Sequence, residues 1–132
     1  RYYLGDFKTG EKSGLGLEIS ESGLVYVGHF FENQKNGFGI EKFVGATFGV
    51  SKDDTYAGEF EGNSRTGRCC IFYSISGACY IGMVDEGMYH GFGKLETYLK
   101  ISVGEFHSGE LSGLAYENHL TGKSYFGQFR KG

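Results

Sequence analysis

The sequence predicts an all-β protein built as an antiparallel meander of tandem hairpins, and three observations predict it. A glycine-and-aromatic skeleton recurs along the chain, starting at Tyr3, Tyr26, Tyr56, Tyr80, Ser102 and Tyr125, at spacings of 23, 30, 24, 22 and 23 residues. A period of 20 to 50 residues marks a repeat architecture. Within each copy the residues alternate with period two, as strands do. Between the alternating runs lie short clusters of small and charged residues, which turn the chain.

In copy one, Tyr3, Gly5 and Phe7 alternate with Leu4, Asp6 and Lys8. Thr9-Gly10-Glu11-Lys12-Ser13 turns the chain, and Leu15, Leu17 and Ile19 alternate with Gly14, Gly16 and Glu18. Glu21-Ser22-Gly23 leads into copy two, so each hairpin feeds the next by a short turn. Copy two repeats the scheme with Tyr26, Gly28, Phe30, Gly37 and Gly39. Asn33 and Asn63 stand where copies one, four and five have glycine at +7, counting from the first residue of a copy. Asn is the usual second choice for a left-handed turn residue. The longer spacing before copy three places extra residues in 44–55, expected to form a longer or bulged connection. Copy three carries Cys69 at +13 and the strand-forming run Cys69-Cys70-Ile71-Phe72-Tyr73. Copy four has Val84 at the +4 aromatic position, copy five has Ser102 and Ala115 in place of Tyr and Gly, and copy six offers Tyr125, Gly127 and Phe129.

Glycine within a strand marks close approach by another group. Here the approaching groups are expected to be rings. Tyr at 0, Gly at +2 and Phe at +4 share one face, and the glycines at +11 and +13 are expected to leave a bare strip on the next strand. A ring lying over bare glycine backbone covers it. Each copy then offers and receives rings, so packing propagates along the sheet.

This skeleton resembles the MORN repeat (membrane occupation and recognition nexus), Y-x-G-x-F/W followed by G-x-x-x-G-x-G. Here it reads YLGDF with GEKSGLG, YVGHF with NQKNGFG, YAGEF with NSRTGRC, YIGMV with GMYHGFG and SVGEF with GELSGLA. The resemblance covers essentially the whole of 1–132 and implies an elongated, twisted, single-layer antiparallel sheet. It also implies a scaffold that docks partner proteins, dimerises, associates with membranes or accompanies a catalytic domain elsewhere in a chain.

Composition narrows the function. Gly supplies 24 of 132 residues, against a usual value of roughly 7%. Aromatics reach 17%, and there is no Pro or Trp. Disordered glycine-rich chains lack aromatics, so these glycines belong to ordered structure. No run of 18 apolar residues predicts a membrane-spanning helix, and the polar turn after Leu4 is unlike a signal peptide. The chain opens on Arg1 and its last copy stops at Gly132, so a fragment of a longer protein is expected. A net charge of −3 disfavours nucleic acid. Lys and Arg are scattered among 16 acids with no cluster to select anionic lipid. Three cysteines suit a reducing, cytoplasmic compartment, with association to cytoskeleton or membrane left open.

Chemistry finds little support in the residues. His29, His90, His107 and His119 fall at unrelated offsets, without metal-ligand spacing. Cys69 and Cys70 point to opposite faces, and with Cys79 they lack a fourth zinc ligand. Gly122-Lys123-Ser124 lacks the leading glycine and following helix of a phosphate loop. Gly37-Phe38-Gly39 and Gly91-Phe92-Gly93 lack a third glycine and a βαβ unit. Asp53, Asp54, Glu59 and Glu61 do not fit a calcium loop. No enzyme activity, cofactor or metal is expected.

The expected function is protein interaction. A single-layer sheet leaves apolar faces for a partner to cover. The candidate partner-binding stripe is Tyr3, Phe7, Tyr26, Phe30, Tyr56, Phe60, Tyr80, Phe106, Tyr125 and Phe129, a groove for a helix or extended segment. A lipid platform and a regulatory segment of a larger enzyme are the alternatives. Homodimerisation is also expected, through the open edge at Tyr125–Phe129 or through the ring stripe.

Overall fold

A computed structural model describes residues 2–43 and 54–130. Most of the connection expected within 44–55 lies outside the described residues. Eleven strands form one antiparallel sheet whose spatial order is the chain order. They are β1 (Tyr2–Lys8), β2 (Glu11–Ile19), β3 (Leu24–Phe31), β4 (Gln34–Phe43), β5 (Thr55–Glu61), β6 (Ser64–Phe72), β7 (Cys79–Asp85), β8 (Met88–Glu96), β9 (Lys100–His107), β10 (Glu110–His119) and β11 (Ser124–Phe129). The meander read from the sequence is thus the observed topology, in a single open layer.

The hairpin within each of copies one to five turns on two residues with positive φ. These are Thr9-Gly10, Glu32-Asn33, Gly62-Asn63, Glu86-Gly87 and Ser108-Gly109. Two successive left-handed residues make the turn type whose twist suits a hairpin. The two asparagines also clamp neighbouring copies together. Asn33 Oδ1 accepts the Lys12 amide at 2.8 Å, and Asn63 Oδ1 accepts the Lys35 amide at 2.9 Å.

The +11 and +13 glycines do different jobs, which corrects the expectation of one bare strip. Gly14, Gly37, Gly67, Gly91 and Gly113 have φ between 71° and 93° and sit beside breaks in strand register, where the second strand bulges past the first. The bare strip belongs to +13 with +2. Gly5 pairs with Gly16, Gly28 with Gly39 and Gly82 with Gly93. A Cβ built on Gly28 would lie 2.5 Å from the Gly39 Cα, 2.6 Å from the Phe38 carbonyl oxygen and 2.7 Å from the Tyr26 hydroxyl. The tyrosine crosses its own +2 glycine and donates to the carbonyl at +3: Tyr3 to Asp6, Tyr26 to His29, Tyr56 to Glu59, Tyr80 to Met83 and Tyr125 to Gln128. That short loop needs glycine beneath the ring.

The core therefore lies on one face of the sheet. Tyr26, Tyr56 and Tyr80 are fully buried. Burial lifts the phenol pKa of Tyr26 and of Tyr80 to about 12.

Candidate functional site

The sheet has two faces, built from alternate residues of every strand. The inner face carries the rings. Phe7, Tyr3, Phe30, Tyr26, Phe60 and Tyr56 form an unbroken ladder of edge-to-face contacts with centroids 5.1–5.2 Å apart. Such pairs contribute about 0.5–1.5 kcal/mol each beyond area burial. A second layer of side chains lies over the ladder. Lys12 sits above Tyr3 and Phe30, Lys35 above Tyr26 and Phe60, and Arg65 above Tyr56. Their charges are matched by buried carboxylates. Lys12 pairs with Glu18, while Glu41 receives Lys35 and Arg65, each at 2.6 Å.

Beyond copy three the inner face changes chemistry. Val84 interrupts the ladder, and Tyr89 replaces the cation at +9. Tyr89 stacks on Tyr80 at 3.9 Å, meets Phe106 edge-on, and its hydroxyl bonds that of Tyr73. Burial, and then the bond to Tyr73, push the Tyr89 phenol far above its ordinary range. In copy five, Ser102 replaces the ring and donates to Glu117 at 2.9 Å. Lys100 at 2.9 Å and His119 at 3.2 Å complete that cluster. Burial works against the charge on Glu117, but the bonds from Lys100, Ser102 and His119 outweigh it and hold the carboxyl below its ordinary value. Ser102 and His119 both bind Glu117 rather than one another, so the cluster is an anchored carboxylate and not a nucleophile with its base.

Six of the ten candidate rings, Tyr26, Phe30, Tyr56, Phe60, Tyr80 and Phe106, lie in this chain's own core. Tyr3 and Phe129 are half-buried, and Phe7 and Tyr125 are exposed. Cys69 is buried, and burial raises its thiol to about 11. Cys70 and Cys79 lie on the other face. No group of three or more His, Cys, Asp or Glu among the described residues is arranged to hold a metal.

The outer face carries what the glycine skeleton hid. One row of directly paired positions crosses every strand. It begins Leu4, Leu17, Val27, Ile40, Ala57 and continues Cys70, Ile81, Lys94, Val103, Tyr116, Phe126. Lys94 is its one charged member. Ile40 is 51% exposed, Ile81 55% and Phe126 69%. Leu15, Phe38, Phe92 and Leu114 widen the row and are also exposed. Leu15, Val27, Phe38, Ile40, Ala57 and Cys70 line an open concavity of about 550 Å³. The signal was in the sequence: position +1 is apolar in all six copies, as Leu4, Val27, Ala57, Ile81, Val103 and Phe126.

Comparison with known proteins follows the same periodicity. Residues 3–25, 26–45 and 80–97 match the family model described as the MORN repeat. A stretch of 95 residues, 72% of this chain, is 33% identical to ALS2 C-terminal-like protein of Homo sapiens. The ALS2 C-terminal-like protein of Bos taurus is 34% identical over 95 residues. The match covers 10% of each relative, so the chain spans about a tenth of their length.

Proposed function

The chain is a MORN-repeat protein, and from that premise we propose that it is a non-catalytic docking module that binds a segment of a partner protein on its outer face. MORN repeats serve protein or membrane interactions in general, and proteins built from them are typically non-catalytic. The observation that carries the reading is the exposed row from Leu4 to Phe126. Apolar patches beyond a few hundred Å², roughly, mark interaction surfaces in soluble proteins. The ring stripe lies on the opposite face and holds the sheet together, so even its exposed ends, Phe7 and Tyr125, stand apart from this row.

A protein is favoured over a lipid surface by charge. The inner-face cations Lys12, Lys35 and Arg65 are spent on buried carboxylates, and the outer row holds Lys94 alone. The test uses a displayed library of random 24-residue peptides, panned on the wild type and on Ile40→Glu and Phe92→Glu. Peptides enriched on the wild type and lost on both variants support docking through the outer face. Enrichment indifferent to both variants contradicts it, as does vesicle sedimentation of the wild type that both variants abolish.

A further inference from the structure

The two flanks of the outer row differ in charge. On the flank toward the hairpin turns the same face carries Asp6, Glu59, Glu61, Asp85 and Glu105, which alternate with the ring positions of their strands. Against them stand Lys8, Arg68 and Arg130, and Arg68 is already held near Glu59 at 3.6 Å. Asp6, Glu61, Asp85 and Glu105 are exposed. The opposite flank carries Lys42 and Glu96, which balance. The surface is therefore an apolar row with one acidic margin.

The row also runs across the strands. Each strand between β1 and β11 is hydrogen-bonded to a neighbour on both sides, so the sheet offers a crossing segment few backbone partners. An extended peptide laid there would bury unpaired N–H and C=O groups, each costing about 1–3 kcal/mol. A helix brings its backbone bonds with it. Ten interstrand steps cover about 48 Å, which matches about 32 residues of helix.

Resting on the docking reading above, we infer that the segment is an amphipathic α-helix that lies across the strands and turns a Lys- or Arg-bearing flank toward the hairpin margin. The apolar stripe of such a helix recurs every three to four residues. Its 5.4 Å pitch stays close to the interstrand spacing. Its basic flank faces Asp85 and Glu105 when its apolar stripe covers Ile81 and Val103 and crosses Lys94 between them.

The test titrates three synthetic 24-residue peptides by fluorescence anisotropy. One has a leucine stripe with a lysine flank, the second replaces that lysine flank with glutamate, and the third is the lysine peptide interrupted by two prolines. The lysine helix is expected to bind at least tenfold more tightly than either other peptide. Asp85→Lys with Glu105→Lys should narrow the gap between lysine and glutamate peptides by at least fivefold. Equal binding of the proline peptide, or of the glutamate peptide, overturns the inference. Displayed peptides that depend on Ile40 but are acidic or extended also overturn it, and they leave the docking reading standing. A wild-type dimer that Ile40→Glu abolishes assigns the row to a second copy and overturns it too.

Discussion

The first three copies and the last three solve one packing problem with different chemistry. In copies one to three, six rings run edge-to-face without a gap, under a lid of Lys12, Lys35 and Arg65 neutralised by Glu18 and Glu41. In the later copies the ladder breaks at Val84 and Ser102, and the lid is Tyr89, Leu95 and Leu111. The +9 column reads Lys12, Lys35, Arg65, Tyr89, Leu111, and the +15 column reads Glu18, Glu41, Ile71, Leu95, Glu117. What is kept is cover over the rings. Charge serves where acid and base occur together, and apolar bulk serves elsewhere.

Single rings should expose this difference most strongly. Tyr56→Ala removes a fully buried ring in the continuous ladder and should cost about 3–5 kcal/mol in chemical denaturation. Tyr125→Ala, at an exposed ring whose packing partner is Phe129, should cost about 1 kcal/mol or less.

The +13 position gives the next largest contrast. Gly93 lies beneath the Tyr80 ring, and an added Cβ would fall 2.6 Å from its Cζ. Ala115 occupies the same position in copy five because Ser102 leaves that space free of a ring. Gly93→Ala should therefore cost about 2–3 kcal/mol, and Ala115→Gly about 1 kcal/mol. Adding Tyr80→Ser to Gly93→Ala should make the two changes less than additive in a double-mutant cycle.

Acid should reach the cluster that Glu117 forms with Ser102, Lys100 and His119, and Glu117 sets the sign. Its folded pKa is depressed, so its contribution is present above the unfolded value and is lost as pH falls through the folded one. Wild-type stability should decline below about pH 4.5, in the ordinary glutamate range, and Glu117→Gln should flatten that decline. The smallest effect belongs to the turns. Asn63→Gly keeps a residue at ease with positive φ and loses the bond to Lys35, so thermal melts should show a cost of about 0.5–1 kcal/mol.

The tandem hairpins and their order were legible in the residues, because Gly5 through Gly127 and Gly14 through Gly113 recur at fixed offsets. The turn role of Asn33 and Asn63 was legible too. Their grip on the preceding copy was not, because the partner is a backbone amide 21 or 28 residues away. Gly14 and Gly16 look alike in sequence, yet one sits in a bulge and the other lies under a ring; register separates them. Period two shows that a strand has two faces without showing which one the chain covers. Attention to Tyr and Gly therefore led to the face that is buried, while Val27 and Ile40 stand on the face that is open.

Equilibrium unfolding of Val27→Lys/Ile40→Glu, which sets opposite charges at a directly paired position, read beside its titration with the lysine-flanked helix, tests most directly the division between a ring face that holds the fold and an outer face proposed to bind. Both residues are exposed, so the unfolding free energy should stay within about 0.5 kcal/mol of wild type while peptide affinity falls at least tenfold. A variant that loses several kcal/mol of stability, or that binds the helix as wild type does, contradicts the division.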